Sequence, residues 1–290
     1  MPDRLAIGVR CSVGVGPQRG GRVLNEDNYL ICQDRRARWR EGDHEGEKVA
    51  EATGALVAVA DGMGGHARGD LASAAAVRAL AALPEAERPA DPTTTLRNFL
   101  LDAHARLAGQ APAQGATNMG TTLTVGWILE GQLHWVHVGD SRLYLQRGEG
   151  LVLLTRDHTR GEFARRDSRP LPRDPGALAQ GFVFGSRGLG DDRSLRIDAG
   201  VDTGTLRLAA GDRLLFSSDG LHAFVEEPRL NQLLREAWDA GVAAVALAEA
   251  AMASGSDDNV TALVVRVDEV ADPPLSIPLD DVVTLVPEEG

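Results

Sequence analysis

Five times in this chain an acidic residue stands at one end of an apolar, strand-length run, and this repetition constrains the fold more than any single motif. In LVAVADGMGGH (Leu56–His66) the apolar run stops at Asp61, and glycine fills three of the next four positions. LHWVHVGDSRLYL (Leu133–Leu145) sets Asp140 after a second run, and DRLLFSSDGL (Asp212–Leu221) sets Asp219 after a third. GSDDNVTALVVRV (Gly255–Val267) places Asp257 and Asp258 before a fourth, and GGRVLNEDNYLI (Gly20–Ile31) puts Glu26 and Asp27 beside a fifth. Apolar runs of this length, bounded by turn residues, read as strands buried on both faces. Glycines directly after such a strand allow close backbone approach. One Asp-Gly corner is explained by turn chemistry alone; five acidic strand ends form a pattern. Carboxylates gathered in one place repel unless cations neutralise them. An all-oxygen donor set, with no His or Cys cluster, suits hard ions such as Mg²⁺ or Mn²⁺.

The chain has 290 residues, 43% of them apolar, enough to bury a sizeable core as one large domain or two small ones. Its formal net charge of −12 argues against nucleic acid or anionic lipid as partner, because no basic cluster compensates it. Arg35, Arg36, Arg38 and Arg40 are followed at once by Glu41, Asp43, Glu45 and Glu47. Cys11 and Cys32 lie in strand-like surroundings without CxxC spacing, so no disulfide framework is expected. No signal peptide is expected from the N-terminal residues, and no apolar run approaches ~20 residues. The expectation is a soluble, cytoplasmic monomer.

Strands are expected at Leu5–Val13, Tyr29–Gln33, Leu56–Ala60, Thr122–Leu129, Leu133–Val138, Leu143–Gln146, Leu151–Leu154, Thr205–Leu208, Arg213–Ser217 and Val260–Val267. Helices are expected at Leu71–Leu83, Thr94–Leu107, Leu230–Ala240 and Val242–Ser254, with Pro92 and Pro228 marking starts. Many short strands with helices in two batches suggest stacked sheets flanked by helices. Arg35–Gly54 reads as a polar inserted loop and Thr159–Gly181 as a long irregular flap. Beyond Val267 the chain has Pro273, Pro274, Pro278 and Pro287 among acidic residues and no Lys, Arg or His. This composition divides it into a folded domain, 1–267, and an acidic mobile tail, 268–290.

In order along the chain stand Arg22-x-x-Asn25-Glu26-Asp27, Asp61-Gly62-Met63-Gly64-Gly65, Gly120-Thr121-Thr122, Val138-Gly139-Asp140-Ser141-Arg142, Ser218-Asp219-Gly220 and Asp258-Asn259. This ordered set resembles the metal-dependent protein phosphatases of type 2C, in particular their compact bacterial branch. LTRDHT (Leu154–Thr159) is similar to the family segment after the GDSR strand. The resemblance covers about residues 5–267. It implies an α+β fold: a central β-sandwich of two antiparallel sheets with helices outside each (α/β/β/α layers), and a metal site at one edge.

It also implies roles. Asp61 resembles the carboxylate that bridges two metals, with the Gly62 carbonyl on one of them. Asp219 and Asp258 would hold the first ion, and Glu26 and Asp27 would serve the second, directly or through water. Asp140 resembles the ligand of a weaker third ion, shared with Asp219. Arg22 would grip the substrate phosphate, against the plainer reading of a salt bridge to Glu26 or Asp27. Two Mn²⁺ or Mg²⁺ ions in such a site activate water for in-line attack on phosphorus. The implied reaction is hydrolysis of phosphoserine and phosphothreonine in phosphorylated proteins, opposing a bacterial Ser/Thr kinase. Animal members carry histidine where this chain has Met63. Protonation of the leaving group then falls to water at the metals or to His66, which reads equally well as a solvated loop residue.

Other residues take plainer readings. His134 and His137 lie three apart on a strand, hence on opposite faces. His158 orders a turn. No base is spaced to activate Thr121 or Thr122, which shape a strand start with Gly120. Two alternatives stay open: a metal hydrolase of small phosphate esters, and a non-catalytic binding or sensor module on the same fold.

Overall fold

The computed structural model describes residues 3–41, 44–49, 54–63, 69–83, 89–110, 119–179, 181–184 and 201–271. Strand β5 (Ala55–Ala60) shows why its sequence is apolar without interruption. Leu56, Ala58 and Ala60 face one core, while Ala55, Val57 and Val59 face another. A strand with period two, buried on both sides, must be apolar at every position.

The sheet around β5 has seven strands. In order they are β13 (Asp202–Arg207), β9 (Gln132–Val138), β8 (Leu123–Leu129), β5, β2 (Asn28–Gln33), β3 (Arg36–Glu41) and β4 (His44–Val49). The facing sheet has five: β1 (Arg4–Ser12), β15 (Val260–Glu269), β14 (Arg213–Ser217), β10 (Arg142–Arg147) and β11 (Gly150–Leu153). Every pairing is antiparallel. Between the sheets lies a core that includes Val57, Val59, Trp135, Phe216, Leu263 and Val265. At its centre Gly126 leaves room for a ring, since a Cβ there would lie 2.6 Å from Phe216 Cζ.

Helices α1 (Gly69–Ala81) and α2 (Pro92–Gln110) cover the outer face of the seven-stranded sheet, burying Val77, Leu80, Leu96 and Leu100. Helices α5 (Glu227–Glu236) and α6 (Ala240–Ala253) cover the five-stranded sheet with Leu230, Leu234, Leu247 and Ala251. The α+β sandwich with helices outside each sheet is therefore borne out. A small third sheet, β12 (Phe182–Phe184), β7 (Met119–Thr121) and β6 (Gly62–Met63), closes one end.

Several local expectations need correction. Arg35–Gly54 is not merely a loop: β3 and β4 form a hairpin that extends the large sheet, with Trp39 opposite Gly46 and Arg36 3.3 Å from Glu47. Polar strands are stable at a sheet edge, where one side meets water. The turn into it, Asp34-Arg35, has φ of 52° and 62°. This is a two-residue hairpin turn without the usual Asn-Gly signal. The flap contains α3 (Arg160–Arg166), capped by the Thr159 hydroxyl, which accepts from the Glu162 N–H. A one-turn helix, α4 (Asp219–His222), follows β14. β15 runs to Glu269, two residues past the expected edge of the domain. Residues 272–290, and Gly64, Gly65 and His66, lie outside the described residues.

Candidate active site

The acidic strand ends meet because antiparallel pairing aligns them. Asn28 pairs with Ala60, which sets Asp27 beside Asp61. Leu123 pairs with Val138, which sets Thr122 beside Gly139. Ser217 pairs with both Arg142 and Ala262, bringing Asp219 between Asp140 and the segment that carries Asp258. At this edge a cavity of about 350 Å³ is lined by Glu26, Asp61, Asp140, Asp219 and Asp258, with Arg22, Gly62, Met63 and Leu178 around them. That is room for a phosphoryl group together with ions or water.

Asp61 is held by its backbone. Its N–H donates to Thr122 Oγ1 at 2.9 Å, and its carbonyl accepts from the Thr122 N–H and the Thr121 hydroxyl, each at 2.8 Å. The two threonines thus aim a carboxylate rather than act as nucleophiles. Gly62 donates its N–H to the Glu26 carbonyl at 3.2 Å, and a Cβ on it would lie 2.4 Å from the Gly69 oxygen. Glycine is needed here for close packing against the start of α1.

The side chains form a strongly acidic set. Asp61 and Asp219 both line the cavity. Burial, then the charges of Asp27, Asp219, Asp140 and Asp258, pushes the Asp61 carboxyl well above its usual range. Asp219 is raised by burial and by Asp258. Asp140 is pushed up to about 7 by burial, Asp219 and Asp157. Glu26 is raised by burial, against hydrogen bonds donated by the backbone of Gly69 and Asp70. Arg22 donates from Nη2 to Asp258 at 2.9 Å, so its carboxylate partner is neither Glu26 nor Asp27.

Asp27 does not line the cavity. It is fully buried behind it, with Oδ2 accepting from the hydroxyls of Ser218 and Thr261, each at 2.7 Å. Burial pushes it up to about 7, and its Oδ1 is buried without a partner. A buried unpartnered carboxylate oxygen calls for an ion or a water. The donors are all oxygens, as Mg²⁺ and Mn²⁺ require. The residues present therefore fit divalent cations. Among the described residues, no three His, Cys, Asp or Glu side chains already form a closed ligand group; the donors line the cavity instead.

The family model described as Protein phosphatase 2C matches residues 25–253. The chain belongs to this family. Its relatives include the serine/threonine protein phosphatase PstP of Mycobacterium tuberculosis, 34% identical over 214 residues, which are 73% of this chain and 40% of PstP. The serine/threonine phosphatase stp of Listeria monocytogenes is 33% identical over 228 residues, covering 73% of this chain and 84% of stp. The crystal structure of the PstP catalytic domain in complex with two manganese ions aligns with a TM-score of 0.69 at 28% identity, over 91% of this chain and 99% of that one. The chain thus spans less than half the length of full PstP.

Within this protein phosphatase 2C domain, several supporting residues have roles that the sequence alone does not disclose. Asn259 accepts from the Glu26 N–H at 2.8 Å and donates to the Leu24 carbonyl at 2.9 Å, fixing the loop that carries Arg22, Glu26 and Asp27. Asn25 accepts from the Asp27 N–H at 3.0 Å. Both lay inside recognised motifs, but only contacts across the fold reveal their work. His134 bonds Thr93 and His137 bonds Thr124, so the two histidines are separate, as their spacing implies. No helix among the described residues is long and apolar enough to cross a membrane.

Proposed function

We propose that this chain is a metal-dependent protein phosphatase that hydrolyses phosphoserine and phosphothreonine, acting as a monomer in a bacterial cytoplasm against a Ser/Thr kinase. The observation that carries this reading is the convergence of Glu26, Asp61, Asp140, Asp219 and Asp258 on one cavity with an arginine at its rim. Relatives named serine/threonine phosphatase and the manganese-containing PstP domain support it. Asp61, Asp219 and Asp258 would hold one Mn²⁺ or Mg²⁺. Asp61, the Gly62 carbonyl, Glu26 and Asp27 would serve a second, the last two directly or through water, and Asp140 a third. Bound there, such ions supply Lewis-acid activation of water and neutralise phosphate charge.

The chain's own residues supply the rest. Arg22 offers a planar fork of N–H donors matched to phosphate oxygens. Thr121 and Thr122 fix Asp61 before substrate arrives, so little reorganisation is left for the reaction. Met63, next to Gly62, has no proton to give. We take the catalytic unit to run from the N-terminus to the end of β15. The non-catalytic module is disfavoured because every expected acidic position is filled.

Chelation followed by Mn²⁺ or Mg²⁺ add-back, on phosphoserine, phosphothreonine and phosphotyrosine peptides and a small aryl phosphate, tests the reading. Turnover should vanish with chelation, return with metal, and favour phosphoserine and phosphothreonine peptides. Asp61→Asn or Asp219→Asn should lower kcat by orders of magnitude with the fold intact. Full activity of either variant sinks the assignment, and preference for the small ester transfers it to small-molecule hydrolysis.

A further inference from the structure

Gly139, immediately before Asp140, sits in the left-handed region at φ +113°. Both of its backbone groups are bound by one residue. Its N–H donates to His158 Nδ1 at 3.2 Å, and the His158 N–H donates to its carbonyl at 2.7 Å. Because Nδ1 accepts, the ring hydrogen of His158 lies on Nε2, which faces Asp202 Oδ2 at 3.5 Å. Asp202 in turn lies 3.4 Å from the Arg156 guanidinium. A second ring, His137, donates from Nε2 to the carbonyls of Gly139 and Arg156 at 3.1 and 3.0 Å. On the other side, a Cβ at position 139 would lie 2.6 Å from Thr122 Cβ. Thr122 is the residue that fixes the Asp61 N–H.

His158 also reaches outward. Its carbonyl accepts from the Ala179 N–H at 2.8 Å, and Thr159 bridges to Leu178, which lines the cavity. His137, His158 and Asp202 are all buried. Burying two imidazoles and a carboxylate is unfavourable relative to well-packed apolar side chains unless every polar atom is used. Here each ring nitrogen has a partner, and one nitrogen of each ring binds the backbone of Gly139, the residue before Asp140, while the other is held by Thr124 or Asp202.

We propose that His158, fixed by Asp202, is the positioning residue that sets where Asp140 presents its carboxylate and couples that setting to the Leu178 wall of the cavity. This rests on the reading of Asp140 as a cation ligand. Groups that orient a metal ligand without touching the metal typically change affinity or activity by 10–100-fold when removed.

The test uses the full chain with four variants. His158→Phe keeps the ring stacked on Phe163, 5.9 Å between centroids, but loses both ring hydrogen bonds. His158→Asn retains an acceptor toward Gly139, Asp202→Asn removes the charge behind the imidazole, and Asp140→Ala removes the proposed ligand. Three readouts are needed: calorimetric Mn²⁺ titration, amide exchange at Gly139 in the metal-free protein, and kcat against KM on a phosphopeptide. His158→Phe and Asp202→Asn should weaken the weakest Mn²⁺ site and lower kcat, each about 10–100-fold. They should also speed Gly139 exchange, leaving the tight sites and KM unchanged. His158→Asn should recover part of the loss.

Wild-type metal binding and kcat in His158→Phe and Asp202→Asn overturn the inference, and so does loss of the tight sites together with the weak one. Should His158→Phe not fold, Asp202→Asn decides. An unchanged isotherm in Asp140→Ala removes the cation reading of Asp140 and this inference with it. A changed isotherm in Asp140→Ala beside an unchanged one in the His158 and Asp202 variants removes this inference alone.

Discussion

Arg22 Nη2 donates to Asp258 Oδ2 at 2.9 Å, joining the phosphate-gripping candidate to a carboxylate of the proposed metal site. The arginine side chain is 48% exposed, so the pair contributes little to stability. Its value lies in placement: the guanidinium is held at the cavity rim with donors to spare. Arg22→Ala should therefore leave the melting temperature almost unchanged and lower kcat/KM on a phosphopeptide by about 100-fold, as expected for loss of a donor to developing charge. Arg22→Lys should recover only part, because an ammonium lacks the planar fork. Wild-type kcat/KM in Arg22→Ala would remove Arg22 from phosphate binding.

The crowded carboxylates give a pH signature. In the metal-free protein Asp27 and Asp140 are pushed up to about 7. Their contribution to stability is fully present below the ordinary carboxylate range near 4 and is lost as pH rises through about 7. Asp157 and Asp202 are shifted the other way, by Arg142 and by His158 respectively against the effect of burial, so their titration finishes below this window. Burial pushes His137 and His222 down to about 3, so these two oppose the trend inside the window, but the carboxylates of Asp61 and Asp219 are raised together with Asp27 and Asp140, and the four outweigh the two. Cation binding runs opposite to the raised groups, because it requires ionised ligands. The chelated protein should melt lower at about pH 8 than at about pH 5.5, and the increment from added Mn²⁺ should grow over the same interval. A Mn²⁺ increment independent of pH would mean that these carboxylates do not bind the ion.

Gly62 is the place where backbone packing and chemistry coincide. A methyl group there would meet the Gly69 and Glu26 oxygens at 2.4 and 2.6 Å, and neither can rotate away. Gly62→Ala must push the start of α1 or the Glu26 loop aside. We expect a loss of about 1–3 kcal/mol, read by denaturant unfolding, together with weakened metal affinity. Wild-type stability would show that the local backbone yields without strain.

The sheet strands and the acidic edge were legible in the sequence because burial on both faces leaves a continuous apolar run. Such runs as Ala55–Ala60 and Arg213–Ser217 also fix where the strands end. The hairpin of β3 and β4 was not legible. Its residues are polar, and the Asp34-Arg35 turn imitates no common turn pair. α4 is a single turn, too short for helical periodicity to register. The carboxylate positions could be read as residue types at strand ends, but their ranking could not. Asp27 and Glu26 are adjacent, yet one is sealed behind the site under Ser218 and Thr261 while the other lines the cavity. The partners that decide this lie more than 190 positions away in sequence.

The end of the domain offers a last test. A boundary at Val267 falls inside β15, which pairs on to Glu269 opposite Arg4. Asp268 accepts from Arg266 Nε at 2.7 Å, and Val270 packs against the core between the sheets. The Ala271 N–H donates to Asp3 at 2.8 Å, and Asp3 also accepts from the Gly131 N–H at 2.9 Å, tying the segments before β1 and after β15 to the β8–β9 turn. Truncation after Ala271 keeps all of these and should leave melting temperature and phosphopeptide turnover unchanged. Truncation after Val267 removes them and should lower the melting temperature by several degrees, at about 2–4 °C per kcal/mol for a domain of this size. Turnover lost already on truncation after Ala271 would make residues 272–290 part of the catalytic unit. Equal melting temperatures for the two truncations would place the working boundary back at Val267.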